Sequence, residues 1–349
     1  MDEHDGHGAQ DEHGAPTGRD ARDGHEHGDD DVCRVVTDAQ AQALIGALRA
    51  GGSVFAEDEL AVLREHAETT RWVDAYDLDV HEKLELYVDR RVHGERIEHI
   101  TERAPFAELT LSVPFGVFVP RRRTELLATV VATRLGELAT QRGAAGPRPR
   151  LLDFGCGAGP IAALAAHRVP TAEIVAVDCD EHAVACAREN LPGALVVQAS
   201  SIEALVGVDA SRASAVDAGM RGSTDAGATD ATTDASRTDP TGGTPASAPF
   251  DVIAANLPYV PTEQLLTLPH GTLESEPRVA FDGGDQGLDV IGEHVLSMFG
   301  SLREGGFAVV ELAPHQVELA IEIFELTGFS RVEIATDDEL DATILIAHV

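Results

Sequence analysis

From Thr124 to the C-terminus, segments with the pattern of β-strands alternate with segments that have the periodicity of α-helices. The strand segments RLLDFG, EIVAVD, FDVIAAN and GFAVVEL are nearly continuous apolar runs, rather than alternations of apolar and polar residues. A strand that is apolar on both faces is typical of a parallel sheet that helices cover on both sides. This part of the chain is therefore predicted to fold as an α/β domain around a parallel sheet.

The chain from residue 34 to residue 100 has helical periodicity throughout. TDAQAQALIGALRAGG begins with a capping candidate, Thr37, ends at two glycines, and places Leu44 and Leu48 on one face. EDELAVLREHAE and HEKLELYVDRRVHG repeat this spacing, whereas residues 105–120 change to a period of two, which predicts a hairpin-like connector. The predicted domains are a small helical domain at 32–104, a hairpin linker at 105–122 and the α/β domain at 123–349.

Two segments contain too few large apolar side chains to join a core. Residues 1–31 are rich in Asp, Glu, Gly and His, and residues 207–249 are rich in Ala, Gly, Ser, Thr and Asp. Because so little apolar surface cannot offset the loss of chain entropy, both are predicted to be disordered, the second as an insertion between two strands. The histidines of the first segment could bind a transition metal loosely, but a solvated tail without a specific role is the favoured interpretation.

The composition argues against several classes of protein. A net charge of −34 disfavours binding to naked DNA or RNA, since phosphate contacts need clustered Lys and Arg. No apolar run approaches the about 18 residues of a membrane span. The absence of any C-x-x-C pair favours reduced thiols in a cytoplasmic protein and no bound metal. The cysteines are Cys33, Cys156, Cys179 and Cys186.

The stretch LLDFGCGAGPIAAL predicts a strand that runs into a glycine turn and then a helix. Gly155, Gly157 and Gly159 allow the main chain to approach a ligand closely, where a Cβ would collide. A turn at the carboxyl end of the first strand is where open α/β sheets bind nucleosides. The next strand ends in Asp178, about twenty residues further on, which is the usual place of a carboxylate that binds ribose hydroxyls.

This spacing alone leaves a dinucleotide and S-adenosylmethionine open as ligands. A dinucleotide turn usually has the form G-x-G-x-x-G and directs a helix N-terminus at a pyrophosphate. Here the third glycine comes one residue earlier, and Asp153 precedes the turn. A carboxylate repels phosphate but attracts the ammonium and sulfonium groups of S-adenosylmethionine, so the methyl donor is favoured.

The fourth predicted strand of the domain ends in Asn256-Leu257-Pro258-Tyr259, at the same sheet edge as the glycine turn. The side-chain carbonyl of an Asn can accept one hydrogen of an NH2 group, while a neighbouring main-chain carbonyl accepts the other. Both contacts together aim the nitrogen at a methyl group, and an aromatic ring can pack on the flat group that is methylated. The alternative is a turn that ends a strand without any catalytic role.

With these motifs in order, the chain resembles the protein-(glutamine-N5) methyltransferases, the release-factor-modifying family among the Rossmann-like S-adenosylmethionine enzymes. The resemblance extends over roughly residues 37–349. It is most similar to an actinobacterial-type branch that is paralogous to the main release-factor enzyme. The motifs that carry it are DRRVHGERIEHI, VFVPRRRTELL, LLDFGCGAG, AVDCD, NLPY, EPRVAFDGGDQGLDVI and GGFAVVEL.

The resemblance implies a helical substrate-recognition domain, a hairpin linker and a Rossmann-like seven-stranded S-adenosylmethionine-dependent methyltransferase domain whose last strand is antiparallel. It also implies an activity: methylation of a glutamine side-chain amide nitrogen in a protein, with a peptide chain release factor as the candidate substrate. S-adenosyl-L-methionine is the implied cofactor. The expected partner is a protein that presents a glutamine, not a nucleic acid or a membrane.

Matched motif by motif, the resemblance also implies roles for individual residues. The donor site would include Asp153, Gly155, Cys156, Gly157, Gly159, Asp178, Cys179, Ser200 and Asn256. The substrate amide would be bound by Asn256, Leu257, Pro258 and Tyr259, beside a loop with Glu276, Pro277 and Arg278.

Two positions depart from the family pattern. Ser200 stands where the family usually has an acidic residue that accepts from the adenine amino group, and a hydroxyl accepts more weakly than a carboxylate. Leu257 stands where the family has its first proline, but the expected contact is a main-chain carbonyl, which any residue supplies. Because Pro258 keeps Leu257 extended, we expect a working site with altered tolerance rather than a relic.

Two other functions remain open at this level. Related N-P-P-Y sites methylate the amino group of adenine or guanine, although the acidic composition and the lack of a basic groove count against a nucleic acid substrate. The chain could also be a non-catalytic binding module that keeps the cofactor fold. A donor-binding assay would separate this last possibility from the enzymes.

Overall fold

The computed structural model describes residues 36–70, 77–206, 208, 247–269 and 271–349. The predicted acidic tail at 1–31 lies outside the described residues, as does most of the predicted insertion at 207–249. Within the described ranges, no helix is both long and apolar enough to cross a membrane.

Among the described residues, four helices form the N-terminal unit. Their buried faces explain the helical spacing of apolar residues in the sequence. Thr37 caps the first helix, because its side chain accepts from the Gln40 main-chain nitrogen while Gln40 accepts from the Thr37 nitrogen. Asp79 and Glu82 form the same capping box on the third helix. Leu48, Leu63, Leu84 and Tyr87 are among the fully buried side chains between them. The helices are α1 (Asp38–Ala50), α2 (Ala56–Thr69), α3 (Val80–Val92) and α4 (Ile97–Thr101).

A short hairpin follows, with strands β1 (Arg103–Phe106) and β2 (Leu109–Ser112). The period of two at 105–120 had predicted a longer hairpin. The structure ends it at Ser112 because Pro114 has no main-chain N–H and Gly116 turns the chain with a φ of 88°. The later alternating valines are buried without forming a strand.

Seven strands form the main sheet, in the order β5-β4-β3-β6-β7-β9-β8. All run parallel except β9, which is antiparallel to both of its neighbours. This confirms the predicted seven-stranded Rossmann-like sheet with an antiparallel last strand. The strands are β3 (Arg150–Phe154), β4 (Glu173–Asp178), β5 (Leu195–Gln198), β6 (Phe250–Ala255), β7 (Leu302–Glu311), β8 (Arg331–Asp337) and β9 (Ala342–His348).

Helices cover both faces of this sheet, as the apolar strands predicted. One core cluster contains Leu127, Ile161 and Val184, and the other contains Ile291 and Phe324. The chain moves outward in opposite directions from β3 and β6, so a crevice opens at the carboxyl ends of these two neighbours. The helices are α5 (Thr124–Arg142), α6 (Pro160–Arg168), α7 (Glu181–Asn190), α8 (Thr272–Ser275), α9 (Asp289–Ser301) and α10 (Val317–Thr327).

Asp251 joins the amino ends of the central strands to the helix that precedes them. It is 2% exposed and accepts from the Arg150 main-chain nitrogen at 2.7 Å and from Arg142 Nη1 at 2.9 Å. Arg303 Nε forms an ion pair with the same carboxylate at 2.9 Å. Three positively polarised groups from α5, β3 and β7 therefore converge on a single buried charge.

Asp251→Ala should lower the free energy of unfolding by about 3–5 kcal/mol, because the arginines and a main-chain N–H lose a buried partner together. Urea unfolding followed by circular dichroism measures this loss. Glu108→Ala is the control, since Glu108 pairs with Arg168 at the surface through two hydrogen bonds. Equal losses in the two variants would contradict the role assigned to Asp251.

Candidate active site

A cavity of about 730 Å³ opens at the carboxyl ends of β3, β4 and β6. One side of its wall contains the glycine turn after β3, Asp178 and the residues that follow β5. The other side contains Asn256 to Tyr259, the aromatic rings of Phe118 and Phe281, and Arg121. The crevice predicted from the strand order is therefore a real cavity with two chemically different halves.

The three glycines of the turn have positive φ angles, of 71° at Gly155, 56° at Gly157 and 80° at Gly159. A Cβ on Gly157 would meet no atom within 4 Å, and this residue lies in the cavity wall, so a ligand can reach its main chain. A Cβ on Gly159 would lie 2.8 Å from the Leu191 side chain. Gly159 is thus the N-cap of α6 and leaves room for the Leu191 side chain, whereas the sequence had predicted that it lines the donor site.

Asp178 ends β4, and its carboxylate holds the turn in place. Oδ2 accepts from the Gly157 nitrogen at 2.8 Å, and Oδ1 accepts from the Asp180 nitrogen at 2.9 Å. Burial raises the pKa of Asp178, against the opposing effect of these two main-chain donors. Each carboxylate oxygen can accept more than one hydrogen bond, so the side chain in the cavity wall still has acceptor capacity for ligand hydroxyls.

Asp153 lies beneath the turn and is absent from the wall of the main cavity, contrary to the prediction of a direct contact. It is fully buried, and its Oδ2 accepts from the Ala162 nitrogen at 3.0 Å. Within the described residues Oδ1 is buried without a hydrogen-bond partner, and burial raises the pKa of this carboxyl to about 8. The carboxyl is therefore largely protonated near neutral pH, and a positive charge nearby would favour its ionised form.

The other predicted donor-site residues lie on this side of the site. Cys179 and Ser200 are exposed and line the main cavity. Cys156 is buried and lines a smaller recess of about 30 Å³ that Gly157 and Asn256 share. Burial raises the pKa of Cys156 well above its usual range, so this thiol stays protonated.

Asn256 follows β6 directly and is oriented by the first residue of α5. Its Nδ2 donates to Thr124 Oγ1 at 3.0 Å, so the carbonyl end of the amide is free to accept. Leu257 is 5% exposed, and its Cδ2 lies 2.8 Å from the position of a Cβ on Gly155. The leucine at this position therefore packs against the glycine turn and lines the cavity.

Tyr259 also lies in the wall, and its hydroxyl donates to Glu311 Oε1 at 3.0 Å. Burial and the neighbouring Glu311 raise the pKa of Tyr259, so the hydroxyl remains a donor. The Tyr259 carbonyl accepts from Gln316 Nε2 at 2.8 Å. Because these contacts clamp both ends of the residue, the ring has a fixed position beside Pro258.

Glu276 and Arg278 were predicted beside the substrate, but the structure gives both another role. Glu276 is 3% exposed and accepts from the Val119 nitrogen at 2.8 Å and from Arg121 at 2.7 and 2.8 Å. Arg278 pairs with Asp282 at 2.9 Å and is largely exposed. Neither side chain lines the cavity, although Pro277 between them does.

Sequence reasoning missed the residues that Glu276 holds. Arg121 lies in the cavity wall, with its guanidinium carbon 4.5 Å from the centre of the Phe118 ring. The Phe118 and Phe281 rings meet edge to face, with their centroids 5.3 Å apart. The motif VFVPRRRTELL contains two of these three residues, but its spacing alone assigned no role to either.

Comparisons with known proteins agree with this geometry. The family profile "Methyltransferase small domain" matches residues 130–215. The release factor glutamine methyltransferase of Geobacter sulfurreducens is 30% identical over 254 residues, which are 72% of this chain and 72% of that protein. Those of Moorella thermoacetica and Streptomyces coelicolor are 28% and 29% identical and cover 72% and 69% of this chain, or 74% and 70% of their own lengths. The chain is an S-adenosylmethionine-dependent methyltransferase, and it belongs to the release factor glutamine methyltransferase family.

Proposed function

We propose that this chain transfers a methyl group from S-adenosylmethionine to the side-chain amide nitrogen of a glutamine in a peptide chain release factor. The substrate follows from the names of the relatives. The observation that carries the mechanism is the orientation of Asn256, whose NH2 group donates to Thr124 while its carbonyl oxygen has no hydrogen-bond partner among the described residues. A carbonyl in this position can accept from a substrate amide.

The residues present fit the cofactor. S-adenosylmethionine, when bound, supplies a methyl group on a positively charged sulfonium. Gly157 exposes main chain without a Cβ, and Asp178 supplies a carboxylate that can accept from ribose hydroxyls. Burial raises the pKa of Asp153, beneath the turn, to about 8, and a cationic ligand nearby would favour the ionised form of this carboxyl.

The substrate half of the cavity would position the amide rather than activate it chemically. Asn256 Oδ1 accepts one amide hydrogen and the Leu257 carbonyl accepts the other, so the nitrogen is held with its face toward the methyl group. Pro258 and Tyr259 confine the flat amide from the side. Correct placement of the reacting atoms supplies much of the rate enhancement in a reaction of this kind.

The helical unit at 32–104 would recognise the substrate protein. This role is supported by its contacts with the loops around the cavity. Arg96, which precedes α4, lies in the cavity wall and 3.9 Å from Glu276. The Gly116 nitrogen, in the linker, donates to the Ser275 carbonyl at 3.1 Å. A protein bound to the helices would thus lie beside the opening of the site.

The two alternatives are less well supported. The relatives named above are protein methyltransferases, which favours neither a nucleic acid base as the substrate nor a module without activity.

Incubation of the full chain with labelled S-adenosylmethionine and a purified release factor tests the proposal directly. Mass spectrometry should find one added methyl group on a single glutamine, and none when that glutamine is replaced by glutamate. In a parallel incubation that also contains ribosomal RNA, label in the RNA and none in the release factor would overturn the proposal.

Asp178→Asn should weaken S-adenosylmethionine binding by about 1–3 kcal/mol, because the turn and the ligand lose a charged acceptor. Isothermal titration calorimetry measures this change. Asp282→Asn is a matched control, since Asp282 is another cavity-wall carboxylate that accepts from a main-chain nitrogen, but on the substrate side. An unchanged affinity in Asp178→Asn would remove Asp178 from the donor site.

Asn256→Ala should lower turnover by about a hundredfold or more, because the substrate amide loses the contact that orients it. Donor binding should persist in this variant. Asn256→Asp should also lose activity, since it brings a charge into a desolvated slot. Turnover is measured at saturating donor with the unmethylated release factor as the substrate. A fully active Asn256→Ala enzyme would exclude this mechanism.

Leu257→Pro should retain or increase turnover, because the carbonyl remains and the ring fixes the local backbone. The same substitution removes an apolar side chain from its contact with Gly155, so thermal stability should be measured in parallel. A well-folded but inactive Leu257→Pro variant would instead show that the Leu257 side chain selects the substrate.

A further inference from the structure

The two polar side chains of the Asn-Leu-Pro-Tyr turn share a buried neighbour that no step above uses. Glu311, the last residue of β7, is 1% exposed and lies behind the cavity rather than in its wall. Tyr259 donates its hydroxyl hydrogen to Glu311 Oε1 at 3.0 Å. One of the two reacting-centre side chains is therefore attached directly to this carboxylate.

Asn256 is connected to the same carboxylate through Thr124. Thr124 is 1% exposed, and its Oγ1 lies 3.0 Å from Asn256 Nδ2. Its hydroxyl also acts on Glu311: it lowers the pKa of this carboxyl, as the Tyr259 hydroxyl does, against the larger and opposite effect of burial. Glu311 Oε2 is buried and has no direct hydrogen-bond partner among the described residues. The structure shows no hydrogen bond between this oxygen and Thr124 Oγ1, but a small side-chain movement would make it the acceptor of the Thr124 hydroxyl proton.

The direction of that proton determines how Asn256 can act. A side-chain amide has nearly the same shape after a 180° rotation, so shape alone does not decide whether its oxygen or its NH2 group faces the cavity. A Thr hydroxyl has only one hydrogen. If Glu311 accepts that hydrogen, Thr124 can only accept from Asn256, which keeps the NH2 group at the back and the carbonyl in front.

We propose that Glu311 is a positioning residue for the methyl transfer: through Thr124 it fixes the amide of Asn256 with its carbonyl toward the substrate, and through Tyr259 it fixes the ring beside it. The proposal rests on the function inferred above. It accounts for the presence of a carboxyl group at a buried position, where an unpaired charge would cost several kcal/mol. Burial raises the pKa of Glu311, and the positive charges of Arg121 and Arg123 oppose this shift only in part; a carboxyl oxygen accepts a hydrogen bond in either protonation state.

Thr124→Val and Thr124→Ser form the decisive pair. Valine keeps the size of threonine without the hydroxyl, whereas serine keeps the hydroxyl. Thr124→Val should lower kcat by about tenfold to a hundredfold with an unchanged donor Kd, and Thr124→Ser should restore most of kcat. If Thr124 had a purely structural role, substitution would lower the stability of the protein, and kcat would not differ in this way between the two variants.

The variant Glu311→Gln provides an independent test of the proposal. Its new NH2 group would donate to Thr124 Oγ1, which leaves the threonine proton free and removes the constraint on Asn256. The loss in kcat should resemble that of Thr124→Val, and the double variant should be little worse than either single one, because both act through one chain of hydrogen bonds. Additive losses would contradict the proposal.

A measurement without substrate keeps the orientation separate from the proposed activity. In ¹⁵N-labelled protein, the Asn256 NH2 signals should exchange slowly with solvent in the wild type and in Thr124→Ser. They should exchange rapidly in Thr124→Val. If the Asn256 NH2 signals are protected but the enzyme methylates no glutamine, the proposed function is excluded and the inferred orientation of Asn256 is still supported. Rapid exchange in the wild type, or wild-type kcat in Thr124→Val, would overturn the role of Glu311.

Discussion

The parallel pairing of β3 with β6 is the constraint on which the whole site depends. Their register sets Phe154 opposite Ala255, so the residues that follow each strand emerge side by side at one edge of the sheet. The donor turn begins at Gly155 and the substrate turn begins at Asn256. No loop has to bring these two chemistries together, because the hydrogen bonds of the central strands already do so.

The buried carboxylates of the methyltransferase domain divide into two kinds. Asp251 and Glu276 are surrounded by arginines and main-chain donors, and they join elements that are distant in sequence. Asp153 and Glu311 each keep an oxygen without a partner among the described residues, directly behind the two halves of the cavity. A buried carboxyl group with an unpartnered oxygen is unfavourable, so the presence of one on each side of a reaction site points to a functional role.

The fold was largely predictable because its signals are local. Thr37 caps α1 with a residue three positions away, and the alternation of strands and helices needs no knowledge of distant contacts. The site was predictable only in part. The turn glycines and Asn256 belong to short motifs, but Glu276 meets Val119 and Arg121 across separations of 157 and 155 residues. Thr124 and Asn256 are 132 residues apart. Motif spacing carries no information about such pairs, so Glu276 was placed at the substrate and Glu311 was overlooked.

The side chain of Leu257, which departs from the family pattern, packs against the backbone of Gly155. Its methyl group occupies the space that a side chain on residue 155 would need. The glycine is therefore required by its neighbour across the strands as well as by its own φ of 71°. A larger residue at position 155 would therefore meet two obstacles, the left-handed backbone and the Leu257 methyl group. A smaller residue at position 257 would remove only the second, so the backbone of the turn keeps glycine at 155 even where the opposing side chain changes.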